Sequence, residues 1–243
     1  MNKYAFAIIT AVALSASPVN ATASTDPAKN ASTGSVYLKL SGGLCMLNNS
    51  DAEATDTASS ITTKWNDAFK YKNGYVFEGA VGDSTGKLRG EIAIGYQSDD
   101  VTELFGSDIE TLESTVKETL QQWGLSDSYD DLSIKSSAIT VMYNLFADYK
   151  MKGPVSPYLM GGLGVAFTDM KFSFSYNGVK FDNSYDKTSF AWQVGAGLGL
   201  KVTDKVSFDL GYRYFKTMNV DLGSDVRLTF GGSKIMAGMQ YLL

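Results

Sequence analysis

The chain has 243 residues, with 21 Lys and Arg against 26 Asp and Glu, a formal net charge of -5, one cysteine and no histidine. The acidic balance argues against nonspecific nucleic-acid binding, which depends on clustered cations. Without histidine the usual general base of nucleophilic triads and the commonest transition-metal ligand are missing, and a lone thiol excludes an internal disulfide framework, so no catalytic, cofactor or metal site is expected.

At the N-terminus Lys3 supplies a positive start, Tyr4 to Leu14 an apolar stretch, and Ala21-Thr22-Ala23 a small-residue cleavage site. This is the layout of a secretory signal peptide. Residues 1–23 are therefore expected to be removed, with Ala21 and Ala23 marking the cleavage site. The apolar stretch is shorter than the roughly 20 residues of a membrane-spanning helix.

Beyond a polar segment at 24–34 the sequence alternates apolar and polar residues with period two. The predicted strands are Ser35 to Met46, Gly74 to Gly82, Lys87 to Ser98, Ser136 to Ala147, Ser156 to Phe167, Ser189 to Val202, Val206 to Phe215 and Arg227 to Leu243. In the third, Leu88, Gly90, Ile92, Ile94 and Tyr96 share one face and Arg89, Glu91, Ala93, Gly95 and Gln97 the other. The seventh sets Phe208, Leu210, Tyr212 and Tyr214 against Asp209, Gly211 and Arg213, and the sixth sets Trp192, Val194, Leu198 and Leu200 against Gln193 and three glycines. Such an apolar face is about as long as the 9–11 residues with which a tilted strand crosses a bilayer. Short connections at Asp83 to Gly86, Asp148 to Val155 and Thr203 to Lys205 alternate with long ones at Leu47 to Asn73, Asp99 to Lys135, Thr168 to Thr188 and Lys216 to Val226.

This pattern predicts an all-β fold: an eight-stranded antiparallel up-and-down transmembrane β-barrel over residues 35–243, preceded by a periplasmic N-terminal segment at 24–34. Outer-membrane lipid is the expected partner of the apolar faces. The long loops are expected outside the cell and both termini in the periplasm.

Several segments resemble a known family: VYLKLSGG at Val36, KLRGEIAIGY at Lys87, VMYNLFADYK at Val141, SPYLMGGLGVAF at Ser156 and AWQVGAGLGLKVTDKVSFDLGYRYF at Ala191. They are similar to the opacity-type and OmpA-like barrels, particularly the surface antigens of obligate intracellular bacteria. The likeness covers the strands and short turns, and leaves the long loops without a template. It implies an outer-membrane barrel exposed to a host or its immune system through those loops. Members usually end in Phe, which the insertion machinery reads; this chain ends in Leu243, implying weaker recognition.

Inside the barrel Lys39, Glu78, Arg89, Glu91, Lys201, Asp209, Arg213 and Lys234 form a candidate charged network. Two readings are open: salt bridges filling a sealed lumen, or the lining of a narrow ion-conducting pore. Within the second long loop Ile109, Leu112, Val116, Leu120 and Trp123 fall on one helical stripe over 107–123, with Ser107 and Glu110 as a capping box and Gly124 as a stop. The stripe either leans on the barrel rim or presents an apolar patch, flanked by Asp108, Glu113 and Glu118, to a host or envelope protein. In the third loop Met170, Phe172, Phe174 and Tyr176, then Asn177-Gly178, predict a hairpin ribbon continuing above the membrane. Cys45 reads as a structural thiol within a strand. The run Gly195 to Gly199 lacks the following helix of a phosphate loop, and the acidic loop residues lack Ca²⁺-loop spacing.

Three functions follow from these features: a non-enzymatic surface protein acting through its loops, a small diffusion channel, or a soluble lipocalin-like carrier with the apolar face inward.

Overall fold

Where successive side chains point to opposite sides of a strand, a sheet with one charged and one apolar face must either stack or close. This chain closes. A computed structural model describes residues 35–56, 61–104, 107–122, 129–176, 179–218, 220–221 and 226–243. The elements are β1 Ser35–Leu47, β2 Ser50–Asp56, β3 Ile61–Tyr71, β4 Gly74–Ser84, β5 Leu88–Leu104, β6 Ser107–Asp108, α1 Ile109–Gln122, β7 Tyr129–Asp148, β8 Val155–Tyr176, β9 Val179–Lys201, β10 Val206–Thr217, β11 Val220–Asp221, β12 Val226–Leu228 and β13 Gly231–Leu242. Eight of the strands form a ring in the order β1-β4-β5-β7-β8-β9-β10-β13, and β13 returns to β1 with Tyr37 opposite Leu242. Every neighbour is antiparallel, so no barrel edge is left unpaired at membrane depth, where no water could satisfy it. No helix among the described residues is long and apolar enough to cross a membrane.

The side chains divide as the period-two pattern requires. Leu88, Ile92, Tyr96, Phe208, Leu210 and Tyr212 lie on the outer surface, while Arg89, Glu91, Gln97 and Arg213 are buried within. On the outside, Tyr75 packs against Phe77 at 5.7 Å and Tyr96 at 6.2 Å, and Trp192 against Tyr214 at 5.9 Å between ring centroids. These amphipathic rings suit a membrane interface. The short turns are tight: in the β4–β5 turn Thr85 N–H donates to Leu88 O at 2.9 Å, and Gly86 takes φ +89°, a conformation L side chains rarely adopt.

The long-loop end is more ordered than the sequence suggests. β2 and β3 form a hairpin within the first long loop, β3 pairs with the top of β5, and β12 pairs with β2. The predicted strand from Arg227 is thus two elements: 226–228 joins this second sheet, and the barrel strand begins at Gly231. β7, β8 and β9 run past the barrel, with β8 and β9 paired up to Tyr176 opposite Val179, the ribbon expected of the third loop. The helix begins at Ile109, two residues after the expected Ser107 cap, because Ser107 and Asp108 pair with Leu104 and Glu103 in the short β5–β6 ladder. Residues 1–34, which hold Ala21 and Ala23, and also Trp123 and Gly124, lie outside the described residues.

Candidate functional site: the barrel interior and the long-loop end

An eight-stranded barrel is just wide enough for its inward side chains to meet across the axis, so a buried charge there needs a partner or costs heavily. The structure supplies partners in layers. Near the short-turn end Arg89 grips Asp148 with two donors, Nε to Oδ2 at 2.7 Å and Nη2 to Oδ1 at 2.8 Å, and donates to Gln240 at 3.2 Å. Its guanidinium also lies over Phe146 at 4.5 Å and Tyr158 at 5.3 Å. One layer further in, Lys39 pairs with Asp209 at 3.0 Å, and Tyr158 OH donates to the same carboxylate at 3.1 Å. Glu91 accepts from Tyr37 OH at 3.2 Å and from Asn144 at 3.3 Å, and Gln193 donates to Asn144 Oδ1 at 2.7 Å. Above them Arg213 Nη1 reaches both oxygens of Glu78, at 2.8 and 3.1 Å. Lys234 lies 4.0 Å from the centre of the Phe215 ring.

Seven of the eight charges singled out from the sequence therefore sit inside the barrel. Lys201 does not, and that expectation is corrected. It is the last residue of β9, its side chain is 60% exposed, and it pairs with Asp204 of the following turn at 2.8 Å. A strand's final inward position lies beyond the lumen, where water and a turn carboxylate replace a cross-barrel partner. The Lys201 ammonium in turn holds the Asp204 carboxyl below the usual carboxylate range, through their hydrogen bond first and their charges second.

Tyr37, Asn144, Asp148, Tyr158 and Gln240 are further partners in the interior that the sequence reading did not single out, while Gln193 lies on the face of its strand already read as opposite the apolar one. Parity gave a usable signal for Asn144, which alternates with the outward Tyr143 and Leu145. The glycine-rich strands gave another: a Cβ at Gly82 would collide with Tyr37, one at Gly197 or Gly211 with Tyr158, and one at Gly162 with Asn144. Glycines on the inner wall make room for whole aromatic rings as well as for charges. The result is a filled interior, with Arg213 and Glu91 each 1% exposed, Lys39 2% and Asn144 0%.

At the long-loop end the polar interior gives way to an apolar cluster of Phe69, Val101, Ile134, Met170 and Phe230, against which Tyr71, Phe172 and Ile109 pack. Ile109 thus joins this cluster through the first turn of the helix, and Leu112 is half-buried. The side chains of Val116 and Leu120 lie outside the described residues. The outer face of the helix is polar, with Glu110, Lys117, Glu118, Gln121 and Gln122 exposed. Cys45 is buried among Val76 and Met236.

Among solved structures, Neisserial surface protein A is similar at 18% identity, with 86% of this chain and 97% of that one covered and a TM-score of 0.42. OprG from Pseudomonas aeruginosa is similar at 14% identity, with 86% and 97% covered and a TM-score of 0.42. An uncharacterized protein of Brucella abortus is 31% identical over 105 residues, 36% of this chain and 33% of that protein, so the chain spans about a third of the length of the curated relatives it matches. The outer membrane protein beta-barrel domain family matches residues 9–238, nearly the whole chain. With its closed ring, apolar exterior and charged interior, the chain belongs to that family of outer-membrane β-barrels.

Proposed function

We propose that the chain is a non-enzymatic surface protein of the bacterial outer membrane, a sealed barrel whose long-loop end contacts host or envelope proteins while the barrel stiffens the membrane. The observation that carries this reading is the filled interior: paired charges run along the lumen, and the apolar cluster around Phe69 and Phe230 lies across its long-loop end. An interior so occupied leaves recognition to the second sheet, the β8–β9 ribbon and the helix beyond the rim. In such barrels short turns are periplasmic and long loops extracellular, which supports placing both termini in the periplasm and the helix outside the cell. An opacity-type surface antigen, exported by a signal peptide over 1–23, fits this arrangement.

A narrow diffusion channel is the second reading, favoured by the charged lumen. Planar-bilayer recording separates the two. The sealed reading expects no steady conductance, and steady conductance abolished by changing Arg89 or Arg213 would overturn it. Deleting 107–123 from the folded barrel should abolish binding to cells or envelope partners, and undiminished binding would remove the helix from the proposed contact. The lipocalin-like carrier needs an apolar interior, whereas the buried interior holds Lys39, Glu78, Arg89, Glu91 and Arg213.

A further inference from the structure

The outer wall is not evenly covered. Over β1, β13, β10 and β9 an apolar groove of about 690 Å³ opens between Leu40, Leu198, Phe208, Leu210 and Met239. That volume lies within the roughly 300–1,000 Å³ of small-ligand pockets. The groove exists because Ala237, outward-facing at the same level as Leu210 and Leu198, is the smallest of the outward side chains lining it. Asp209 meets the groove only from the inner side, its carboxylate held in the lumen by Lys39 and Tyr158.

A cation lies beyond the short-turn end of this groove, outside the residues that line it. Lys205, exposed in the β9–β10 turn, has its ammonium 5.8 Å from the centre of the outward Tyr241 ring. Tyr241 is two residues along β13 from Met239, about 7 Å at strand rise. The adjacent acid, Asp204, is already taken by Lys201, and among the described residues no carboxylate forms an ion pair with Lys205. The neighbouring turn is fastened to the same corner by Lys201 N–H donating to Pro154 O at 2.8 Å, and it adds the exposed Lys152. A positive charge beside an interfacial tyrosine, leading into an apolar groove on a membrane-facing wall, matches one ligand chemistry: an anionic headgroup with an acyl tail.

We propose that this groove binds one anionic phospholipid of the leaflet at the short-turn end, with its phosphate against Lys205 and one acyl chain lying over Ala237 between Leu40 and Leu210. The site depends on the membrane-spanning barrel alone, whichever end faces the cell exterior and whatever the loops contact.

The test is competitive retention on the folded full chain in neutral detergent, with equimolar dioleoyl phosphatidylglycerol and dioleoyl phosphatidylcholine, read by native mass spectrometry. A lysine near an anionic surface is worth about a factor of five, so the wild type should favour phosphatidylglycerol by at least that much. Lys205→Gln should bring the ratio near parity. Ala237→Phe should lower retention of both lipids by filling the groove. Both substitutions are exposed, and the heat-dependent gel shift confirms folding. Lys87→Gln, on a different short turn, should leave the ratio unchanged. Wild-type parity, an equal response to Lys87→Gln, or an Ala237→Phe variant that keeps its lipid would each overturn the proposal. So would conversion of a dimer to a monomer by Ala237→Phe without change in lipid, since the groove would then be a contact between two copies.

Discussion

Replacing Glu78 by Ala tests how far the interior depends on its pairing. Arg213 would keep its charge at a position 2% exposed, having lost both oxygens now at 2.8 and 3.1 Å. At about 3 Å and an effective dielectric constant of about 20, the gross attraction of such a pair is roughly 6 kcal/mol. Part of that is offset by the desolvation already borne by both ions, and removing one partner of a buried pair is expected to cost about 3–5 kcal/mol. For a urea slope of about 2 kcal/mol/M, the unfolding midpoint should fall by roughly 1.5–2.5 M. The assay is urea unfolding of the barrel in lipid vesicles, followed by tryptophan fluorescence and by the mobility of unboiled protein on a gel. Replacing both residues, Glu78→Leu with Arg213→Met, should recover most of the loss, because it removes the stranded charge. A single variant that loses less than about 1 kcal/mol would refute the claim that this end of the lumen is dry and tightly paired.

Lys201→Ala removes an ion pair of the same 2.8 Å length, yet the midpoint should not move measurably, since solvent screens this exposed pair; a shift comparable to that of Glu78→Ala would contradict its placement outside the lumen. Tyr158→Phe should cost about 1 kcal/mol in the same assay by removing one donor from Asp209, and no change would mean that the hydroxyl contributes nothing there. Asp169 stands roughly 35 Å above Val155, beyond an apolar band about 25 Å tall. Burial first and the facing Asp186 second raise its carboxyl above the usual value. The ionised form is thus penalised in the folded ribbon, fully so above the raised value, and the penalty fades as pH falls through it. Amide exchange in the upper β8–β9 ribbon, corrected for intrinsic rates, should slow on acidification, and Asp186→Asn should reduce that response without abolishing it, since burial is the larger cause. Buried Cys45 should resist a maleimide reagent in the unboiled barrel and react once it is boiled; rapid labelling of the folded form would place it elsewhere.

The parity of each barrel strand is local information, because consecutive residues cannot share a face. For that reason Leu88, Ile92 and Tyr96 could be assigned outward and Arg89, Glu91 and Gln97 inward from β5 alone, and the same holds for Phe208 and Leu210 against Arg213. The period-two segments likewise gave the eight barrel strands, and the short connections between them fit antiparallel neighbours. What the chain could not disclose locally is who meets whom across the barrel. Asp148 reaches Arg89 from 59 positions away and Glu78 reaches Arg213 from 135, distances in sequence that only ring closure and strand register make short. Lys201 shows the converse: its parity is inward, but the strand ends there and the side chain passes beyond the lumen. The second sheet was hidden for the same physical reason. β2 and β3 are mostly polar, and their pairing with β12 and the top of β5 joins segments far apart in the chain. Alternation determined which face of each strand meets lipid; closure of the ring decided which charges neutralise one another, what lies across the long-loop end, and where the outer wall is left with a groove.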